Sequence, residues 1–172
     1  VEECVITRTN IGYIKRTPID IYKTQRRGGR GVSGLKQREE DSISELFVAS
    51  THDNVLFITN MGRMYKLKGY EIPEGSKNSK GVNYINLLPL QENERVSAML
   101  KVPDFQEHQY IVIATKYGKL IRTKLSEYKN IRKNSLIGVV LEGDDEFIGD
   151  RLTNGSNSLL LATMLGYAIH VL

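Results

Sequence analysis

Three arginines and three glycines share one short stretch, Gln25-Arg26-Arg27-Gly28-Gly29-Arg30-Gly31. Guanidinium forks match phosphate oxygens in a bidentate way, and glycine lets the main chain approach the same anion closely. The chemistry open to this run is therefore phosphate binding. Weaker versions follow at Lys77-Asn78-Ser79-Lys80-Gly81 and Arg132-Lys133-Asn134-Ser135. Further cations stand at Lys15, Arg16, Lys23, Arg63, Lys66, Lys68, Lys116, Lys119, Arg122 and Lys124. Catalytic chemistry finds less support. Gly28-Gly29-Arg30-Gly31 lacks the Gly-Lys-Ser/Thr ending of a nucleotide-binding loop, and no helical pattern follows it. Ser50, His52 and Asp53 are too close in sequence for triad geometry and read as a turn before a strand. His108 and His170 have no metal-ligand spacing around them, so no catalytic or metal-binding residue is assigned.

Something must hold these cations in order, and the sequence shows it as a repeat. Four segments share one grammar, an apolar run, then Thr-x-x-Gly, then an alternating run. They are Val5–Gly12, Val55–Gly62, Ile111–Gly118 and Leu159–Gly166, and their glycines are separated by 50, 56 and 48 residues. Such a near-constant period marks a repeat architecture. The apolar runs are of strand length, and each glycine falls where a tight hairpin needs a residue tolerant of positive φ. Two positions past the glycines stand Ile14, Met64, Leu120 and Ala168; four past them stand Arg16, Lys66, Arg122 and His170. Residues two apart share a strand face, so each second strand runs from an apolar inner end to a mostly basic outer end. Gly31 and Gly81 each lie 19 residues past their hairpin glycines, and Ser135 takes that place 17 past Gly118.

Each of the first three units ends in an acidic stretch, Glu39-Glu40-Asp41, Glu92-Asn93-Glu94 and Asp144-Asp145-Glu146. Units of about 50 residues with several short strands and no helical periodicity predict an all-β, propeller-like array. The expected blades are roughly 1–46, 47–102 and 103–152, with an incomplete fourth at 153–172, all within one domain spanning 1–172. Leu159–Leu172 is apolar to its end and is expected to leave a sheet edge unpaired or artificially paired.

Composition sets the bounds. The 172 residues carry 24 Lys and Arg against 20 Asp and Glu, a formal charge of +4, so cation placement matters more than the total. Cys4 is the single cysteine, which excludes an intrachain disulfide and fits a reducing cytoplasm. No apolar run is long enough to span a bilayer, and no membrane partner is expected. The opening Val1-Glu2-Glu3-Cys4 has neither Met nor a signal peptide and reads as part of something longer. Cations gather in hairpins and connectors and acids at the blade ends. This favours double-stranded DNA read through its backbone. RNA is less favoured, because no aromatic ribonucleoprotein motif is present.

The run Gln25–Gly31 resembles the seven-residue box of the C-terminal domain of bacterial DNA gyrase A. Gly12-Tyr13-Ile14-Lys15, Leu46–Asp53, Gly62-Arg63-Met64-Tyr65 and Val82–Leu90 resemble the same domain in order and spacing. The resemblance implies a β-pinwheel of four-stranded blades that exchange strands with their neighbours, here a partial array. It further implies non-sequence-specific binding and wrapping of DNA on a basic rim, in support of negative supercoiling by a type II topoisomerase. Partners implied are double-stranded DNA, the rest of gyrase A and its companion gyrase B, in the bacterial cytoplasm at the nucleoid. No cofactor is expected in this chain, since ATP and Mg belong to other domains, as does catalysis. Two other readings stay open. One is the corresponding C-terminal domain of topoisomerase IV, in which the box is typically degenerate; the other is a protein-interaction propeller.

Overall fold

The computed structural model describes residues 1–20, 41–105, 108–131, 136–137, 147–153 and 170–171. Its strands, in chain order, are β1 Glu3–Thr9, β2 Tyr13–Pro18, β3 Ile43–Ser50, β4 Asn54–Thr59, β5 Arg63–Lys68 and β6 Val82–Asn83. They continue with β7 Val96–Val102, β8 Tyr110–Thr115, β9 Lys119–Lys124, β10 Leu136–Ile137, β11 Phe147–Thr153 and β12 His170–Val171. Short 3-10 turns occur at Gly69–Glu71, Tyr84–Asn86 and Leu125–Tyr128.

The repeated grammar folds as three alike hairpins, β1–β2, β4–β5 and β8–β9. Gly12, Gly62 and Gly118 have φ of 114, 76 and 85°, the left-handed region expected of them. Their N–H groups donate to the carbonyls of Thr9, Thr59 and Thr115 at 3.1, 3.0 and 3.0 Å. The threonine of each repeat has its own task. Its hydroxyl accepts the amide of the residue after the glycine: Tyr13 at 3.1 Å, Arg63 at 3.3 Å and Lys119 at 3.1 Å. Thr-x-x-Gly is thus a side-chain-capped turn. The fourth glycine, Gly166, lies outside the described residues.

Among the described residues three four-stranded sheets result, in the orders β3-β1-β2-β6, β10-β5-β4-β7 and β11-β8-β9-β12. Sheet membership does not follow contiguous sequence. The outer strand of the first sheet, β6, comes from the connector after the second hairpin and pairs antiparallel with β2 through Tyr13↔Asn83 and Ile14↔Val82. The outer strand of the second, β10, comes from after the third hairpin and pairs antiparallel through Leu136↔Met64 and Ile137↔Arg63. Ile14 and Met64 are equivalent, so their partners, Val82 and Leu136, are equivalent too. In the third sheet, β12 fills this slot in parallel, His170↔Lys119 and Val171↔Leu120. β3 runs across the expected 46/47 blade boundary.

The chain divides into two compact units. One contains Val1–Val55, Leu67–Leu90 and Lys101–Pro103, and so the whole first sheet. Its core includes Val5, Ile6, Ile14, Ala49, Ile72, Tyr84 and Leu88. The other contains Leu56–Lys66, Gln91–Leu100 and Asp104–Leu172, with a core that includes Phe57, Ile58, Met64, Met99, Ile111, Ile113 and Tyr128. Gly12 serves packing as well as the turn, because a Cβ there would lie 2.8 Å from the Tyr84 ring.

Candidate nucleic-acid interface

The second strand of each hairpin puts its glycine-plus-two residue in the core, with Ile14, Met64 and Leu120 all buried. Two residues on, Arg16 and Lys66 are half-buried and Arg122 is exposed. Each of these three cations has a neighbour that fixes it. Arg16 Nε donates to the Ile72 carbonyl at 3.0 Å. Lys66 Nζ donates to the Lys129 carbonyl at 2.5 Å and lies 5.3 Å from the Phe105 ring centroid. The Arg122 guanidinium sits 4.8 Å over the Tyr110 ring. A cation held over an aromatic face keeps its charge while losing rotamer freedom, so less ordering entropy remains for anion binding to overcome.

The connector of the second repeat carries two more candidates, Lys77 half-buried and Lys80 exposed. Lys80 Nζ is 4.1 Å from the Tyr13 ring centroid. The connector runs beside β2 in two directions. It first makes a parallel bridge, Arg16↔Glu74, with Arg16 N–H on the Pro73 carbonyl and Gly75 N–H on the Arg16 carbonyl. It then turns at Ser76–Ser79 and returns antiparallel as β6.

Of the other expected contacts, Lys116 and Lys124 are exposed, while Lys68 and Lys119 are half-buried. Arg63 is half-buried; with the Gln91 amide oriented by its neighbours, the Gln91 oxygen accepts from both terminal nitrogens of Arg63 at 2.9 and 3.0 Å. Lys15 departs from expectation. It is only 4 % exposed, and its ammonium faces the inside of the connector rather than solvent. Burial lowers its pKa from the ordinary lysine value. Lys23, the run Gln25, Arg26, Arg27, Gly28, Gly29, Arg30, Gly31, and Arg132 and Lys133 lie outside the described residues.

The acidic repeat ends also have structural work. Glu94, 6 % exposed, accepts from the Thr59 hydroxyl at 2.6 Å, the Tyr65 hydroxyl at 2.8 Å and the Gln91 backbone N–H at 3.0 Å. Asp41 accepts the Ile11 amide at 3.1 Å, across the first hairpin turn. Arg8 and Glu45 form a bidentate pair directly across β1 and β3. Glu94 is thus buried and fully engaged, Asp41 caps a turn at the surface, and Glu45 neutralises Arg8. Among the described residues, no group of three or more His, Cys, Asp or Glu could hold a metal ion, and no helix is long and apolar enough to cross a membrane. The aromatic partners Phe105, Tyr110 and Tyr13 escaped the sequence reading. Only Tyr110 leaves a signal, since it pairs with Lys124 two residues from Arg122.

Comparison with known proteins adds an independent line. The family described as DNA gyrase C-terminal domain, beta-propeller, matches residues 5–50, 53–103 and 109–149, one segment for each of the first three repeats. DNA gyrase A of Clostridium acetobutylicum is 45% identical over 168 residues, covering 98% of this chain and 20% of that protein. Its Staphylococcus epidermidis counterpart is 47% identical over 163 residues, covering 94% of this chain and 18% of that protein. The chain thus spans about a fifth of the length of these relatives. Among solved structures, the C-terminal domain of DNA topoisomerase IV superposes with a TM-score of 0.77 at 26% identity, over 90% of this chain and 46% of that one. The DNA gyrase A C-terminal domain gives 0.65 at 23% identity, over 88% and 48%, a likeness of fold alone.

Proposed function

The chain belongs to the DNA gyrase C-terminal domain family, whose match covers most of its three described repeats, and from that membership we propose that it binds and wraps double-stranded DNA without sequence preference. The observation that carries this reading is the repeated placement of cations. Arg16, Lys66 and Arg122 occupy one position of the repeat, each steadied by a carbonyl or a ring. Lys77 and Lys80 occupy the exchanged connector, while Glu94 is turned to internal hydrogen bonds. Cations spread over successive repeats suit a phosphate backbone, which repeats as they do and carries no base information.

In this reading the domain works within a type II topoisomerase and contributes no catalytic group of its own. Strand cleavage and the chemistry of ATP and Mg are left to the rest of gyrase A and to gyrase B, in the bacterial cytoplasm at the nucleoid. Gyrase is favoured over topoisomerase IV by the intact Gln25–Gly31 run and by the 45 and 47% identities to gyrase A proteins. A protein-interaction propeller is disfavoured by the same cation placement.

The box gives the sharpest test. Bending 20–30 base pairs by 40–90° costs on the order of 1–6 kcal/mol, which contacts beyond the straight segment must offset. Arg26, Arg27 and Arg30 are grouped closely enough to be such an anchor. Replacing all three by Ala in the full-length protein is expected to abolish DNA curvature, read by fluorescence transfer between DNA ends, and supercoiling. Decatenation is expected to survive, because it needs no wrap. Normal bending and supercoiling in the triple variant would show the box to be structural only.

A further inference from the structure

Lys15 sits three residues past Gly12, where the second and third repeats have Tyr65 and Ile121. Its ammonium donates to the carbonyls of Ser76 at 3.0 Å, Lys77 at 2.7 Å and Ser79 at 2.9 Å. An ammonium has three protons, so its donor capacity is filled from inside the protein. It has none left for a phosphate.

The same three bonds dictate where the connector's amides point. In a trans peptide the C=O and the following N–H face opposite ways, and there is no cis peptide among the described residues. Carbonyls of Ser76, Lys77 and Ser79 drawn onto Lys15 therefore turn the N–H groups of Lys77, Asn78 and Lys80 outward. Among the described residues none of these N–H groups has an acceptor. The turn between them is closed by Ser79 N–H and Ser79 Oγ, both on the Ser76 carbonyl, at 3.1 and 2.7 Å. Its ends are pinned as well. Thr17 Oγ1 reaches the Gly75 carbonyl at 3.4 Å, and Gly81 takes a φ of 87° that brings the chain hard against the Ile14 carbonyl.

We propose that Lys15 is a positioning residue for a phosphate seat made by the outward N–H groups of Lys77, Asn78 and Lys80 and the side chains of Lys77 and Lys80. The proposal rests on the DNA-binding reading above and deepens it. The buried cation gathers carbonyls on one side of the turn so that an anion finds amides on the other. Successive outward amides form the kind of concavity that takes phosphate oxygens, and two flanking ammoniums supply the charge. Tyr13 steadies Lys80 beside it. The ligand class is a phosphodiester of the DNA backbone.

The test is a double-mutant cycle in the full-length chain, read by binding to a labelled duplex over a salt series. The variants are Lys15→Met, the pair Lys77→Ala with Lys80→Ala, and all three together, each checked by thermal unfolding. Lys15→Met is expected to weaken binding in the otherwise unchanged protein. Added to the pair, it is expected to cost less than about twofold more and to leave the slope of log K against log salt unmoved. Independent, multiplying losses with a further slope change of about one would make Lys15 a phosphate contact and overturn the proposal. Unchanged affinity in a folded Lys15→Met would overturn it too.

Amine labelling of the unmodified protein covers the case in which that variant does not fold. Lys15 should stay unlabelled with and without duplex, and Lys80 should be labelled when free and protected by DNA. Labelling of Lys15 in the free, folded protein would overturn the clasp. A protein with no salt-dependent DNA binding would overturn the functional reading and this proposal together; Lys15 labelling without DNA still reports on the clasp alone.

Discussion

One repeat position solves two problems. Three residues past the hairpin glycine, the first repeat has Lys15 and the second has Tyr65, and both side chains are buried. Tyr65 turns its hydroxyl to Glu94, from the acidic end of its own repeat. Lys15 turns its ammonium to the carbonyls of a connector from the following repeat. The phenol closes a sheet on itself, whereas the ammonium fastens an exchanged segment. A buried charge is tolerable only when its hydrogen bonds are met, and here backbone carbonyls meet all of them. A basic residue in a basic repeat can therefore be scaffold, and its neighbours, Lys77 and Lys80, can be the surface.

The comparison can be broken most forcefully at Glu94. Removing its carboxylate leaves the Thr59 and Tyr65 hydroxyls buried without their acceptor, so Glu94→Ala is expected to cost about 3 kcal/mol or more. Urea unfolding reads this, and DNA affinity of the folded variant should change little. Next is Gly81→Ala, which meets both the left-handed φ and the Ile14 carbonyl, 2.5 Å from the added Cβ. About 2 kcal/mol is expected, felt mainly at β6. Hydrogen exchange at Val82 and Asn83 should quicken well before that of β1. Smaller again is Thr115→Val, which removes one turn-capping bond for about 1 kcal/mol by urea unfolding. Thr59→Val should cost more, because Thr59 also bonds Glu94. Equal losses at the two threonines would mean that Glu94 adds nothing.

The smallest effect separates the two solutions by pH. Burial lowers the Lys15 pKa in the folded state from its ordinary 10.5. Between the folded and unfolded values the unfolded chain binds more protons, so stability from this group rises with pH through that window. The urea midpoint of the wild type should therefore gain on that of Lys15→Met as pH climbs toward 10.5. A gap that narrows would mean that the carbonyls hold the proton more strongly than burial repels it.

Much of the architecture could be read before any coordinates, because turns are a local matter. Thr-x-x-Gly located three hairpins, and the alternation after Gly12, Gly62 and Gly118 placed Ile14, Met64 and Leu120 in the core, while at the fourth position Arg122 is exposed and Arg16 and Lys66 are half-buried. The third position was not legible. Whether Lys15 faces solvent depends on a connector some 60 residues later, reached only through strand exchange. The resemblance implied that exchange but not its register, which pairs Ile14 with Val82. The acids misled for a similar reason. Glu94 looks like a solvated blade end, yet its three donors come from Thr59, Tyr65 and Gln91. Only the strand pairing of β4, β5 and β7 within one sheet brings the repeat end back to its hairpin.

The central claim is that outward cations of successive repeats bind a phosphate backbone. The most direct measurement is the affinity of this protein for duplex DNA across a salt series. Engagement of about six to ten phosphates predicts a slope of log K against log salt between about −5 and −9, equal for duplexes of unrelated sequence. A slope near zero, or a strong preference for one sequence, would contradict it.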